Sequence, residues 1–241
     1  MTELLFRDDA YLKETQARVL SASPAGIVLD RTVFYAQGGG QPGDRGVLKR
    51  TDGLSIAVAN TIYDADRKTI LHAPAEGDAL PSAGETVTAR IDWPLRFRRM
   101  RAHTALHLLS VVLPFPVTGG SVGEGEGRLD FDSGDAEFDK AEIEARLNDL
   151  IARDAPVSAR WITDEELEAN PALVKTLSVK PPVGTGRVRL IAIEGLDLQP
   201  CGGTHVARTA EIGRARVTQI EKKGRINRRV RIALDEVWSP A

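Results

Sequence analysis

The sequence predicts an α+β protein in two parts: a small N-terminal β-barrel domain over residues 1–92 and an α+β domain over residues 93–241. Three observations lead to this fold class. The first part alternates short apolar stretches with Gly, Pro and Asp turns and has almost no helical periodicity. Pro94, which suits a first helical turn, then opens a stretch without Gly or Pro that lasts until Pro114. Strand signals return towards the C-terminal end, where they predict an antiparallel sheet.

Each element has its own local signal. Strands are predicted over residues 25–29, 46–48, 55–58 and 86–91, with one helical turn near residues 12–19. Many short strands in a small domain are typical of a barrel or sandwich. A partly buried helix follows Pro94, a second covers residues 137–154, and a capping-box pattern at Thr163 opens a short third helix. Further strands are predicted over residues 188–193, 215–220 and 230–234.

The composition limits the class of protein. Apolar residues make up 42% and charged residues 27%, which is ordinary for a soluble globular protein. No apolar run approaches the roughly 18 residues that span a bilayer, and the N-terminus does not resemble a secretory signal. A single cysteine fits a reducing compartment, so we expect a cytoplasmic protein, and a monomer. The net charge of −2 argues against a protein that coats nucleic acid indiscriminately.

Four scarce side chains fall in two short motifs and predict a metal site. His103 and His107 are four residues apart, so on a helix both leave the same face. Cys201 and His205 flank a Gly-Gly pair that lets a loop fold tightly. Imidazole and thiolate are ligands that zinc prefers, so the four residues predict one zinc site. Four protein ligands are typical of a structural zinc, whereas a catalytic zinc keeps a position open, and the residues alone leave both alternatives open. The isolated His72 is expected to be structural or exposed.

Two other features have a structural and a functional interpretation. The glycine-rich residues 38–44 are either a tight turn or a loop whose backbone approaches the site. They lack the Gly-Lys-Ser/Thr of a phosphate-binding loop, so no nucleotide triphosphate is expected. The basic clusters are either solvated faces or phosphate contacts; they comprise Arg96, Arg98, Arg99 and Arg101, and Lys222, Lys223, Arg225, Arg228, Arg229 and Arg231.

Three motifs together resemble a known family. They are Phe-Tyr-Ala-Gln-Gly-Gly-Gly-Gln-Pro-Gly-Asp-Arg-Gly from Phe34, His-Thr-Ala-Leu-His-Leu-Leu from His103 and Cys-Gly-Gly-Thr-His-Val from Cys201. The set resembles the editing domain of alanyl-tRNA synthetase, and most of all its free-standing relatives of the medium-length AlaX class. The resemblance covers residues 34–206. It implies a zinc-dependent hydrolase that removes serine, and also glycine, from mischarged tRNA(Ala) by metal-assisted attack of water.

The resemblance also implies roles for particular residues. The four zinc ligands become the catalytic residues, while Gly39, Gly40, Gln41, Asp44, Thr118 and Ser121 become substrate contacts. The tRNA phosphates are expected at Arg96, Arg98, Arg99, Lys222, Lys223 and Arg225. The chain departs from the synthetase pattern at Leu106 and Thr118, where those enzymes tend to carry Thr and Gln, and this bears on the choice between serine and glycine. The alternatives are a zinc-stabilised tRNA-binding module without hydrolysis, and a deacylase of Ser-tRNA(Thr), which the Cys-Gly-Gly-Thr-His motif disfavours.

Overall fold

The computed structural model of the chain describes residues 2–176 and 186–236. These residues belong to two compact units, Met1–Phe97 and Arg98–Ala241. The strands are β1 (Glu3–Leu4), β2 (Glu14–Ser23), β3 (Gly26–Leu29), β4 (Arg31–Thr32), β5 (Gly46–Arg50), β6 (Ser55–Tyr63), β7 (Ile70–Pro74), β8 (Thr86–Ile91), β9 (Val117–Val122), β10 (Glu126–Asp132), β11 (Val157–Ile162), β12 (Val188–Ile193), β13 (Asp197–Pro200), β14 (Ala215–Lys223) and β15 (Asn227–Leu234). The helices are α1 (Trp93–Val112), α2 (Lys140–Ala152) and α3 (Asp164–Ala169). None of the described helices is both long and apolar enough to cross a membrane.

The first unit is built around a closed barrel, as the sequence predicts. Its strand order is β2-β3-β7-β6-β5-β8, and every neighbouring pair is antiparallel. Side chains alternate between the inside and the outside of the barrel, so that residues such as Ile27, Leu29 and Leu48 are completely buried. A barrel leaves no free sheet edge, which suits a domain made of short strands.

The helical turn predicted near residues 12–19 is wrong, because β2 runs through this segment. Ala17 and Val19 point into the barrel core while their neighbours Arg18 and Leu20 are exposed. This alternation has the period of a strand. Pairing with β8 on one side and β3 on the other satisfies the backbone of β2 along its length.

The glycine-rich loop contains a tight two-residue turn. Gly39 and Gly40 have φ angles of 55° and 83°, and Gly38 and Gln41 exchange backbone hydrogen bonds of 3.1 and 2.9 Å across them. Glycine adopts positive φ at little cost, so it is favoured at both central positions of such a turn. Gly43 is required for a different reason, because a Cβ there would lie 1.9 Å from a backbone oxygen of β6. The loop therefore contains the tight turn that the sequence predicts.

The second unit contains two antiparallel sheets, with strand orders β14-β15-β10-β9 and β11-β12-β13. Helix α2 packs against β14, with its apolar stripe of Ile143, Leu147 and Ile151 buried. It begins later than predicted, because Asp139 is its N-cap and accepts a hydrogen bond from the Glu142 amide at 2.8 Å. The capping box at Thr163 is present and opens α3. The strands predicted near residues 188, 215 and 230 are β12, β14 and β15, whereas β9, β10, β11 and β13 have no clear sequence signal.

Candidate metal centre

The four predicted ligands meet in the second unit. His103 and His107 lie one turn apart on α1, whose residues 101–110 are all buried, and Cys201 and His205 come from the loop after β13. One ligand atom from each residue lies within 4.8 Å of the others. The Cys201 Sγ is 3.5 Å from the His103 Nε2 and 3.3 Å from the His205 Nε2. The three histidines are buried, while the residue Cys201 is partly exposed.

The loop that carries Cys201 is held by Arg189 on β12. The Arg189 side chain donates to the carbonyl oxygens of Cys201 and Gly203 at 3.1 and 2.9 Å. The Cys201 amide in turn donates to the Arg189 carbonyl at 3.1 Å. The Gly203 amide lies 3.4 Å from the Cys201 Sγ and donates to it, which stabilises negative charge on the sulfur. The loop therefore presents its sulfur in one fixed position.

A buried carboxylate orients His107. Its Nδ1 donates to the Asp197 Oδ2 at 3.1 Å, and the other oxygen of Asp197 accepts from the Lys175 Nζ at 2.5 Å. Gln199 donates to the same Oδ2 at 2.6 Å. An ionised carboxylate only accepts, so the His107 Nδ1 carries a proton. Burial would lower the pKa of this imidazole, but its hydrogen bonds to Asp197 and Cys201 raise that pKa to about 9, so a metal that binds Nε2 has to displace a proton there.

A hydroxyl group orients His205 in the same way. The Thr104 Oγ1 donates to the Met100 carbonyl at 2.9 Å, which leaves its oxygen to accept from the His205 Nδ1 at 3.1 Å. The Nε2 of His205 is then unprotonated and faces Cys201. Two of the three histidines thus have Nδ1 engaged in a hydrogen bond, so that each would coordinate a metal through Nε2.

The electrostatics of the cluster favour a thiolate. Burial alone would raise the pKa of Cys201, yet the interactions of its sulfur with His103 and His107 hold this pKa well below its ordinary value. Burial also lowers the pKa of His205, to about 3, so that this imidazole stays neutral. For Asp197, burial opposes ionisation, but hydrogen bonds from His107, Lys175 and Gln199 lower its pKa to about 2. A thiolate and neutral imidazoles are the forms in which these residues bind metals.

The basic cluster at the start of α1 is mostly internal, which corrects two predicted tRNA contacts. Arg96 is fully buried, where it pairs with Asp44 and donates to the Val33 carbonyl at 2.7 Å. Arg99 is 2% exposed and lies 3.6 Å from Glu124. Neither guanidinium group is accessible to a phosphate, so the predictions for Arg96 and Arg99 are wrong. Only Arg98 of the predicted contacts on this helix has an exposed side chain.

Asp44 also differs from its prediction as a substrate contact. Its carboxylate is 1% exposed, accepts from the Tyr35 amide at 2.7 Å and neutralises Arg96. Asp44 therefore acts inside the first unit, where it stabilises the barrel. In the same loop, Gln41 is buried, and Gly39 and Gly40 are exposed at the tip of the turn. His72 is completely buried as well and is structural, since it bonds Thr32 and the Ile27 carbonyl.

The remaining predicted contacts lie in the four-stranded sheet of the second unit. Lys222, Lys223 and Arg225 are exposed around the hairpin turn between β14 and β15. Thr118 and Ser121 are on β9, where the Thr118 hydroxyl lies 3.2 Å from the Asp130 carbonyl and 3.1 Å from the Asn227 Oδ1. Ser121 pairs with Arg128 in the ladder between β9 and β10.

Sequence reasoning missed the residues that surround the ligands. Asp197, Gln199 and Cys201 are spaced by two residues, so a strand ending at the cysteine would place all three side chains on one face. That spacing was a usable signal for Asp197 and Gln199. Lys175 and Arg189 carry no such signal, because each meets the site only through the packing of distant segments.

Comparisons with known proteins give the family. Residues 6–95 match the model of class II (A) tRNA synthetases, and residues 188–231 match that of the threonyl and alanyl tRNA synthetase second additional domain. The chain is 36% identical to the alanyl-tRNA editing protein AlaX-M of Methanosarcina barkeri, over 97% of this chain and 99% of that one. It is 32% identical to AlaX-M of Saccharolobus solfataricus, over 95% and 98% of the two chains. It is also 39% identical to the alanine–tRNA ligase of Korarchaeum cryptofilum, over 92% of this chain but 25% of the ligase. The chain belongs to the AlaX family of alanyl-tRNA editing proteins.

Proposed function

We propose that this protein is a zinc-dependent deacylase that hydrolyses the ester of mischarged tRNA(Ala), with Ser-tRNA(Ala) as its main substrate and Gly-tRNA(Ala) as a second. The observation that carries the proposal is the convergence of His103, His107, Cys201 and His205 within 4.8 Å in a chain of the AlaX family. An alanine pocket cannot strongly reject glycine, which is smaller, or serine, which adds one hydroxyl, so a separate hydrolytic site has a clear purpose.

The donor set fits zinc in both chemistry and spacing. Around a tetrahedral zinc with bonds of roughly 2.0–2.3 Å, the donor atoms are about 3.3–3.6 Å apart. The Cys201 sulfur lies 3.5 Å from the His103 Nε2 and 3.3 Å from the His205 Nε2, which agrees with that spacing. Three imidazoles and one thiolate are among the ligand sets that bind zinc in proteins, and hard cations such as Mg²⁺ would instead require oxygen ligands.

Neighbouring side chains hold the histidines of the candidate metal centre in fixed orientations. Asp197 and Thr104 fix the rings of His107 and His205, so little reorganisation is needed when a substrate binds. Cys201 is the partly exposed residue of the cluster, and we therefore place the approach of the ester on its side. When bound, zinc supplies a Lewis acid that polarises a carbonyl group and lowers the pKa of water.

The exposed basic residues give the tRNA a place to bind. We assign phosphate contacts to Arg98 and to the β14–β15 hairpin with Lys222, Lys223 and Arg225. Each phosphate contact that is removed should reduce the slope of log K against log salt by about 0.7–0.9. The variant Lys222→Gln tests this in a salt titration of tRNA binding, and Lys49→Gln, an exposed lysine of the first unit, is the matched control. An unchanged slope in Lys222→Gln would remove the hairpin from the tRNA site.

The decisive experiment compares hydrolysis of Ser-, Gly- and Ala-tRNA(Ala) by zinc-loaded and chelator-treated protein. We expect the zinc-loaded protein to release serine and glycine and to spare alanine, and the chelated protein to be inactive while its circular dichroism spectrum remains that of a folded protein. Hydrolysis that resists the chelator would exclude the metal mechanism, and equal cleavage of Ala-tRNA(Ala) would exclude the specificity.

A zinc-stabilised tRNA-binding module is the second candidate, because four protein ligands are typical of a closed, structural site. In that case zinc-loaded protein would bind tRNA(Ala) without releasing any amino acid. Cys201→Ala separates the two functions: a deacylase loses turnover while it stays folded, whereas a structural site loses its cooperative thermal transition.

A further inference from the structure

An exposed tryptophan lies at the edge of the three-stranded sheet of the second unit. Trp161, on the edge strand β11, is 37% exposed and belongs to a small group of large apolar residues on the surface of the described chain. The Arg187 guanidinium stacks over its indole ring, 4.6 Å from the centroid. A tryptophan under an arginine offers a flat, cationic and partly apolar surface.

This surface lies on the face of the sheet that carries the metal centre. Residues directly opposite one another in an antiparallel pair project to the same side. Trp161 on β11 is opposite Arg189 on β12, and Ile191, two residues further along β12, projects to the same face as Arg189. Ile191 is opposite Gln199 on β13, so Trp161 shares this face with Gln199 and with Asp197. Asp197 bonds His107 on this face.

The surface is also close to the cysteine ligand. Arg189 lies between Trp161 and Cys201, since it pairs with the tryptophan on one side and accepts from the Cys201 amide on the other. Two strand spacings of roughly 4.8 Å separate the backbones of Trp161 and Cys201 by about 10 Å. This is approximately the length of three stacked nucleotides at ~3.4 Å each.

The charge beside Trp161 suits a polyanion. Arg187 is exposed and lies over the indole ring, whereas Arg160 is opposite Leu190 and projects to the other face of the sheet. The acidic helix α3 follows β11, but it packs through Leu167 on Val188 and Leu190, which lie on the opposite face of the sheet. The face with Trp161 therefore combines an aromatic ring with an exposed arginine, a combination that proteins use for single-stranded nucleic acid.

We propose that Trp161 and Arg187 form a base-stacking subsite for an unpaired nucleotide at the aminoacylated end of the tRNA. The inference rests on the proposed function, because it needs an aminoacyl ester at the metal centre. A nucleobase stacks on the Trp161–Arg187 pair, and the arginine charge lies near the neighbouring phosphates. The subsite holds the acceptor end so that its terminal ester reaches the cluster beside Cys201.

The test measures the binding of uncharged tRNA(Ala), which needs no hydrolysis. Two probes are used, the full-length tRNA and the same tRNA without its unpaired 3′ nucleotides. We expect Trp161→Ala to raise the Kd of the full-length tRNA about 5- to 150-fold, the range for loss of one base stack, and to leave the Kd of the shortened tRNA unchanged. Trp161→Phe should retain most of the affinity. Arg187→Lys, which keeps the charge but loses the flat group, should have an intermediate effect.

Controls separate this inference from the proposed function. Leu54→Ala removes an exposed apolar residue of the first unit and should not change either Kd. If Trp161→Ala binds both probes as the wild type does, or loses affinity for both equally, the subsite is refuted, even where the wild type hydrolyses Ser-tRNA(Ala). If the wild type fails to hydrolyse Ser-tRNA(Ala), the proposed function fails, and the difference between the two probes still shows whether Trp161 contacts the 3′ nucleotides.

Discussion

Asp44 in the first unit and Asp197 in the second are both buried carboxylates, yet they act on different kinds of partner. Asp44 neutralises Arg96, a cation that cannot lose its proton, inside the barrel unit. Asp197 orients His107, which can lose its proton, and its second partner Lys175 is 30% exposed. The comparison shows that the partner decides whether a buried carboxylate mainly stabilises a fold or prepares a site for chemistry.

Removal of Asp44 should have the largest effect on stability. Asp44→Ala leaves the Arg96 charge buried without its carboxylate, and we expect the free energy of unfolding in urea to fall by about 3–5 kcal/mol. Arg146→Ala, which breaks an exposed ion pair with Glu142 on α2, is the control and should leave the stability nearly unchanged. If Asp44→Ala lowered the free energy of unfolding as little as the control does, Arg96 would have another partner, and Asp44 would not be the residue that stabilises the barrel unit.

The stability of the first unit should also depend on pH, because His72 is buried there as a neutral imidazole. Burial lowers the pKa of His72 to about 4 from an ordinary 6.5, despite the hydrogen bond to the Ile27 carbonyl. His72 therefore binds a proton below about pH 6.5 in the unfolded chain but only below about pH 4 in the folded chain. The free energy of unfolding falls as the pH decreases from 6.5 to 4, because protons bind preferentially to the unfolded chain.

His72→Gln should remove this contribution to the pH dependence. Comparison of the urea unfolding of wild type and variant cancels the carboxyl groups that both share. We expect the wild type to lose roughly 1.4 kcal/mol more per pH unit than the variant, reaching about 3 kcal/mol by pH 4. Parallel stability curves for the two proteins would show that His72 titrates normally.

Removal of Asp197 should act on the metal more than on the fold. We expect Asp197→Ala to weaken zinc binding about 10- to 100-fold in competition with a chromogenic chelator, because His107 loses the group that fixes its tautomer. Asp197→Asn, which can still accept from Nδ1, should restore part of the affinity. The loss of stability should be smaller than in Asp44→Ala, since His107 can become neutral when its carboxylate is removed. An unchanged zinc affinity in Asp197→Ala would show that helix packing alone orients the ring.

The smallest effect is expected for the neutral hydrogen bond on His205. Thr104→Val keeps the shape of the side chain but removes the oxygen that accepts from Nδ1. A hydrogen bond of this kind contributes about 1 kcal/mol, so zinc affinity should fall roughly 5-fold. Thr104→Ser retains the hydroxyl and is the control. If both variants bind zinc equally weakly, the methyl group and not the hydrogen bond positions His205.

The ligands of the candidate site could be predicted from the sequence, but most of their surroundings could not. Scarce residues at helical spacing and around a Gly-Gly pair indicate a shared metal without any knowledge of the fold. Asp197 lies in β13, where its residue type gives no hint that its partner is on α1, 90 positions away in the chain. For Arg96 the sequence suggests a role that the fold does not allow. A run of arginines is typical of an exposed basic face, but packing in the first unit buries the Arg96 side chain completely.

The sequence predicts the β-rich class of the first unit, the three helices, the four candidate ligands and the family motifs, because each depends on local periodicity or on the chemistry of a few residues. The sequence does not predict the glycine-rich β9 or the exposed β11, because a strand of low intrinsic propensity forms only when neighbouring strands pair with it. Three features follow only from the tertiary structure: which charged groups are buried, which carboxylate contacts a histidine, and which aromatic ring remains at the surface. These outcomes depend on long-range packing, where desolvation makes the position of a charge as important as its identity.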